Sequence, residues 1–515
     1  MDKPTQLSRE DVMFIAGENE STYQHIAGLL VLDTSDAPEF DYDYFRAHCV
    51  ERASLIPHFR WKLHSVPMGL DRPYWVADEH FNFDHHIKRI ALPEPGDIPT
   101  LCEVAANLYA NHLDRSKPLW EIWLIEGLEG NRFACLNKFH HSMMDGEGAL
   151  RMIEILCDFE ASPKGEKSVD ESISSARAGK VPSGRQRSSK FFQHLARLPE
   201  EATRSALDFL RPKILEQFVW PRPQKKKKHE VPATMLNGAI SSQRAVTVAS
   251  LPMKELMKVK KHFKVSLNDL ILALVSTSVR EYLKIHGDIA DESMRTNIPV
   301  SLRTADDEQL NNQVTNTTVT LATNVKDPAK RLKLINAESQ EAKAQARGGN
   351  KGVIELFQMM PPILISTLME SVPAEQLPQV LGANLIISNV RGSPIPMYMA
   401  GARMEKMYPI SILTAGIAVN FTCMSYMDEM DFGITVDPDR VPDFGLLSQG
   451  LHDSLNEYLE LCKPRKKKAA AKRNVAVKPK GKPKAKSKTK ATPKAKAKPK
   501  AKAKPKAKPK TKARK

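Results

Sequence analysis

The stretch LNKFHHSMMDGEGALRMIEIL, residues 136–156, carries two adjacent histidines, His140 and His141, followed closely by Asp145 and Gly146. A neutral imidazole titrates near neutral pH, so such a ring can take a proton from an alcohol, thiol or amine as that group attacks a carbonyl. Base catalysis by one positioned side chain contributes about 10²–10⁴-fold. The chain has no G-x-S-x-G nucleophile elbow, so nothing points to an acyl-enzyme on serine. A direct transfer between two bound substrates needs only the base, a cavity and a donor for the developing oxyanion. A metal reading of His141 and Asp145 lacks a third ligand at helical spacing and the H-E-x-x-H pattern, and no metal is expected. A second pair, His85 and His86 in FNFDHHIKRI, has no Asp-Gly after it and reads as strand residues without catalytic meaning.

The elements around the motif must hold one of these rings against a substrate. NRFACLNKFH alternates in polarity and reads as a strand that delivers its end to the motif. Successive side chains on a strand face opposite ways, so one histidine works and its neighbour packs. Gly146 permits a tight or positive-φ turn before a helix with Leu150, Ile153 and Leu156 on one face. LWEIWLIEGL pairs with NRFACLNKFH through a turn at residues 129–131, and YQHIAGLLVLD is a further strand after the helix-like LSREDVMFIAGE. In the second half, VSLNDLILALVSTSVREYL and DPAKRLKLINAESQEAKAQA are helices, and TTVTLATNV, NLIISNV and MDFGITVD are strands. Strands and helices interleave in both halves, which gives α/β or α+β layers.

Charge divides the chain sharply. Of 77 Lys and Arg, 26 lie in residues 463–515, which hold no acid, so residues 1–462 carry 51 basic against 60 acidic residues, a net of −9. The tail repeats Lys, Ala and Pro with nothing apolar to bury, so it is expected to be disordered and to meet anionic lipid or nucleic acid. Residues 161–239 read as a crossover linker, with one amphipathic helical rhythm at Phe192, Leu195, Leu198, Ala202, Leu207 and Leu210 that lies either on the protein or on a membrane. The division expected is therefore 1–160, 161–239, 240–462 and 463–515. Six scattered cysteines without a C-x-x-C pair fit reduced thiols in a cytoplasmic protein, and neither a secretory leader nor a membrane span is evident.

HHSMMDG resembles the H-H-x-x-x-D-G motif of coenzyme A-dependent acyltransferases. The segments PHFRWKL, PYWVADEHFNFDHHIKRIALPEPGD and DRSKPLWEIWLIEGLEGNRFACLNKFHHSMMDG narrow the likeness to the bacterial wax ester synthase/diacylglycerol acyltransferase family. The Pro-Leu-Trp element is Pro118, Leu119 and Trp120, and the Asn-Asp element is Asn268 and Asp269; NIPVSLR and GITVDPDRVPD also match. One departure stands out: the family's Asn-Val-Pro-Gly-Pro is here Asn389-Val390-Arg391-Gly392-Ser393-Pro394. The resemblance implies two chloramphenicol acetyltransferase-like lobes with the active site in a channel between them. It implies acyl-coenzyme A as a substrate, no further cofactor, and diacylglycerol or a long-chain alcohol as acceptor. By the same likeness His141 is the general base, His140 its supporting neighbour, and Asp145 a structural brace paired with Arg303. Asn268 then supports the reaction, and Pro118, Leu119, Trp120, Gly146 and Asn389 contact substrate. A membrane surface or lipid inclusions would be the place of work, reached peripherally from the cytoplasm. Two other readings compete: a related acyltransferase with another hydroxyl or amine acceptor, and a non-enzymatic lipid-granule or nucleoid-binding protein in which the tail is the function.

Overall fold

The Ser8 side chain accepts the Asp11 N–H at 2.9 Å and starts the opening helix, Arg9–Ala16, which delivers Met13 and Phe14 inward. The computed structural model describes residues 5–144, 146–162, 178–179, 231–301, 314–347 and 360–463. Asp145, Arg303, the helical rhythm at 192–210 and the basic tail lie outside the described residues.

Two six-stranded mixed sheets organise the chain. In the first, the strand order is Tyr398–Met399, Ala402–Ile410, His25–Asp33, Arg132–His140, Trp120–Leu128, Ile87–Ala91. In the second it is Val314–Thr320, Arg295–Ser301, Leu385–Val390, Val419–Tyr426, Glu429–Val436, Ala245–Pro252. Each strand expected from alternation around the motif is present, and Trp120–Leu128 and Arg132–His140 pair antiparallel through the expected turn. The helices Gly146–Leu156, Leu267–Ile285 and Pro328–Arg347 also fall where the apolar spacing puts them. Among the described residues no helix is long and apolar enough to cross a membrane.

The sheets do not sort by halves of the sequence. Ala402–Ile410, from the second half, pairs antiparallel with His25–Asp33 and extends the first sheet. The second sheet backs onto this crossover strand at Gly433, where a Cβ would stand 1.8 Å from the Pro409 carbonyl oxygen. Beside it the buried Asp431 carboxylate accepts the Met407 N–H at 3.0 Å and the Ser250 hydroxyl at 2.6 Å. Burial pushes that carboxyl up from its usual range, against the two hydrogen bonds that favour its charged form. The substituted loop also packs closely: a Cβ on Gly392 would lie 2.1 Å from the Ser425 carbonyl oxygen, while Arg391 is exposed.

The second histidine pair differs from its expected form. His85 closes a short 3-10 turn, Phe83–His85, and His86 precedes the strand Ile87–Ala91. The Asn82 side chain caps that turn by accepting the Asp84 N–H at 2.9 Å, which ends any extended backbone before His85.

Candidate active site between the two sheets

The motif strand ends at His140, and His141 opens a turn closed by the Met143 N–H donating to the His140 carbonyl at 2.9 Å. The two rings part company at this boundary. His141 is half-buried and lines a cavity of about 590 Å³. Its ring stacks on Phe14 at 4.1 Å and 6°, and its backbone N–H donates to the Gln24 carbonyl at 2.7 Å. A stacked aromatic on one face and a pinned backbone fix the ring plane before any substrate arrives.

His140 goes the other way, into the core, and is 1% exposed. Its Nδ1 accepts the Ser142 N–H at 3.1 Å and lies 2.7 Å from the Ser142 hydroxyl. Accepting at Nδ1 places the proton on Nε2, which faces the Glu18 carboxylate at 3.7 Å. Glu18 is also paired with Arg115, whose Nε donates at 2.9 Å, and stands 3.4 Å from His112. Burial alone pushes the Glu18 carboxyl up; the His140 ring and Arg115 outweigh it and hold it well below the usual carboxylate range. Burial lowers the His140 ring, so it stays neutral despite the carboxylate. The pair therefore holds the motif turn and does not reach the cavity.

The cavity lies between the sheets. The motif helix contributes Gly146, Ala149, Leu150 and Ile153, at positions that share one helical face. From the first sheet come Ile26, Gly28 and Phe139, and from the second Asn297, Ser388 and Asn389. Glu10 and His141 are the titratable side chains among the described residues of this lining, and the rest is largely apolar. Gly146 is the first helical residue, and its φ lies outside the left-handed region, so of the two kinds of turn expected of it the positive-φ one is absent. Space explains it instead, because a Cβ there would press on Val390 Cγ2 at 3.2 Å.

Asn389 is exposed at the cavity, where its Oδ1 takes a weak bond from Cys423 Sγ at 3.6 Å. Pro118, Leu119 and Trp120 stand elsewhere. All three are buried outside the lining; the Trp120 indole donates to the Phe59 carbonyl at 2.8 Å and stacks on His86 at 4.4 Å. Their service is to the frame, since the Leu119 carbonyl accepts the His140 N–H at 3.0 Å. Asn268 is half-buried in the first turn of Leu267–Ile285, also outside the lining. Its neighbour Asp269 closes a capping box with Ser266 and accepts from Asn336 at 2.7 Å. Phe14, Glu18 and Asn297 were not legible as site residues. Phe14 sits at an ordinary core position of a helix, Glu18 lies over a hundred residues from its partner, and Asn297 is one polar residue in a strand.

Comparison with known proteins places this geometry. Residues 7–271 match the model of the wax ester synthase/diacylglycerol acyltransferase catalytic domain, and residues 310–458 that family's C-terminal domain. A putative diacylglycerol O-acyltransferase of Mycobacterium tuberculosis is 31% identical over 462 residues, 88% of this chain and 98% of that protein. The solved wax ester synthase/diacylglycerol acyltransferase of Marinobacter aquaeolei is similar with a TM-score of 0.66 at 25% identity, covering 89% of this chain and 99% of the other. The first condensation domain of the calcium-dependent antibiotic synthetase shares the fold, with a TM-score of 0.51 at 12% identity over 90% of this chain and 97% of that one.

Proposed function

The chain belongs to the wax ester synthase/diacylglycerol acyltransferase family, and from that premise we propose that His141 is the base of a direct acyl transfer between the two sheets. The protein is an acyl-coenzyme A-dependent O-acyltransferase that acylates diacylglycerol or a long-chain alcohol. His141 takes the proton of the acceptor hydroxyl. The freed oxygen attacks the thioester carbonyl, the C–S bond breaks, and coenzyme A leaves as the thiolate that recovers a proton. The observation that carries this reading is one imidazole, held by Phe14, as one of two titratable groups among the described residues of a largely apolar lining. A water-poor cavity strengthens each polar interaction with the developing charge.

Asn297 and Asn389 offer amides to this cavity and are the donors for the thioester oxyanion. Asn268, lying outside the lining, supports the site through the start of its helix. Asp145 braces the motif turn, with Arg303 as its partner. No cofactor beyond the acyl donor enters the scheme. The 26 basic residues of 463–515 favour contact with an anionic surface, and we assign them to a lipid surface where both substrates partition.

The test is ester formation by the purified chain from one long-chain acyl-coenzyme A, offered hexadecanol and diacylglycerol in parallel. Ester from at least one acceptor is expected. Coenzyme A release with neither ester formed contradicts the reading.

A further inference from the structure

We propose that the wall of the cavity on the second sheet, at Ser388 and Asn420, holds the ester carbonyls of diacylglycerol and so selects that acceptor over a long-chain alcohol. This rests on the acyl-transfer reading and names the acceptor for which the site is built.

Two neighbouring strands present this wall. Ile386, Ser388 and Val390 alternate along Leu385–Val390, Asn420, Thr422 and Met424 alternate along Val419–Tyr426, and all six line the cavity. The strands run parallel, with Ile386 beside Asn420, Ser388 beside Thr422 and Val390 beside Met424. The apolar row meets the start of the motif helix, where a Cβ on Gly146 would stand 3.2 Å from Val390 Cγ2. Polar side chains hold the next two rows. The first sheet and the motif helix face them with apolar groups, among them Ile26, Phe139, Met407, Leu150 and Ile153.

Both polar rows offer donors. The Ser388 hydroxyl is half-buried and has no hydrogen-bond partner among the described residues. Asn420 gives one amide hydrogen to the Ile412 carbonyl at 2.8 Å, and its Oδ1 accepts the Thr422 hydroxyl at 2.9 Å. These two bonds fix which way the amide faces, and its second hydrogen has no acceptor among the described residues. Asn420 stands in the row of Asn297, the donor to the thioester oxyanion, with Ile386 between them. The Ser388 row lies one pleat away, roughly 7 Å along the strands. Both donors therefore face the atoms next to the acceptor hydroxyl, and not the far end of its chain.

A long-chain alcohol has only methylenes at that place, and they leave both donors unsatisfied. Diacylglycerol carries two ester carbonyls within a few bonds of its free hydroxyl, and each can accept. A site that donates to a substrate group discriminates against the analogue that lacks it.

The test offers palmitoyl-coenzyme A with three acceptors in the same detergent micelles: dipalmitoylglycerol, its diether counterpart dihexadecylglycerol, and hexadecanol. The diether keeps the hydroxyl and both chains and lacks only the carbonyls. Wild-type kcat/KM should favour the diester over the diether, and over hexadecanol, by about tenfold or more. Ser388→Ala should narrow the diester preference and leave hexadecanol unchanged. Thr422→Val, which frees the Asn420 amide, should narrow it too. A wild-type enzyme that uses the diether or hexadecanol as well as the diester overturns the inference, even where a variant fails to fold. So does a preference unchanged in Ser388→Ala, or a KM for palmitoyl-coenzyme A raised equally with every acceptor, which would assign the wall to the thioester's own amide arm. Absence of ester from all three acceptors in the wild type would instead strike the acyl-transfer reading.

Discussion

Two histidine pairs, His85-His86 and His140-His141, sit in one lobe, and each sends one ring into the core. His86 is 2% exposed, its Nδ1 lies 2.8 Å from the Trp120 carbonyl, and Trp120 stacks on it. His140 is equally buried, against Ser142 and Glu18. The pairs part at the other ring. His85 ends an exposed turn, whereas His141 stands at the cavity with Phe14 across its face. A histidine pair thus carries no chemistry of its own. What matters is whether the strand end that buries one ring points the next at a cavity.

Substitutions sharpen that contrast. His141→Ala should lower kcat/KM by about 10²–10⁴-fold with little change in melting temperature, as measured by coenzyme A release and calorimetry. Glu18→Gln comes next. It removes the charge facing His140 and paired with Arg115, and should cost about 1–3 kcal/mol in chemical denaturation. Because Glu18 acts through His140, kcat should fall more than KM rises, a split that stability loss alone does not produce. His86→Phe keeps the stack and leaves the Trp120 carbonyl without its ring partner. Stability should drop by about 1–3 kcal/mol while kcat of the folded fraction holds.

Acid should weaken the fold in two steps. Burial lowers both His86 and His140, so their contribution is complete above the unfolded value of about 6.5 and is lost as pH falls below it. Glu18 is depressed, so its contribution persists to about pH 4.3 and is lost only below that. Melting temperature followed from pH 8 downward should be flat at first and then decline below about pH 6.5, less steeply in His86→Phe. The smallest effect belongs to His85→Ala, within about 0.5 kcal/mol and without kinetic consequence. A loss of turnover there would erase the contrast between the pairs.

The sequence carried much of this frame because its signals are local. Alternation in NRFACLNKFH and in YQHIAGLLVLD marks strands, and the spacing of Leu150 and Ile153 marks the face of the motif helix. The split between His140 and His141 followed from strand geometry, and the structure moves its cause by one residue, to a strand that stops at His140. Non-local pairings were not legible. Nothing local in Ala402–Ile410 names its partner, and its hydrogen bonds go to His25–Asp33. Trp120 reads as a substrate contact because of its motif, yet its indole is spent on the Phe59 carbonyl. Glu18 meets His140 only once helix, loop and strand have folded together.

His141 as a base, and not as an acyl acceptor, is tested most directly by rapid-quench measurement of coenzyme A released from a long-chain acyl-coenzyme A without any alcohol or diacylglycerol. Direct transfer predicts no burst in that case, and release in step with ester once hexadecanol or diacylglycerol is added. A burst stoichiometric with protein before any acceptor is present would mean that the chain itself takes the acyl group, and would contradict the account.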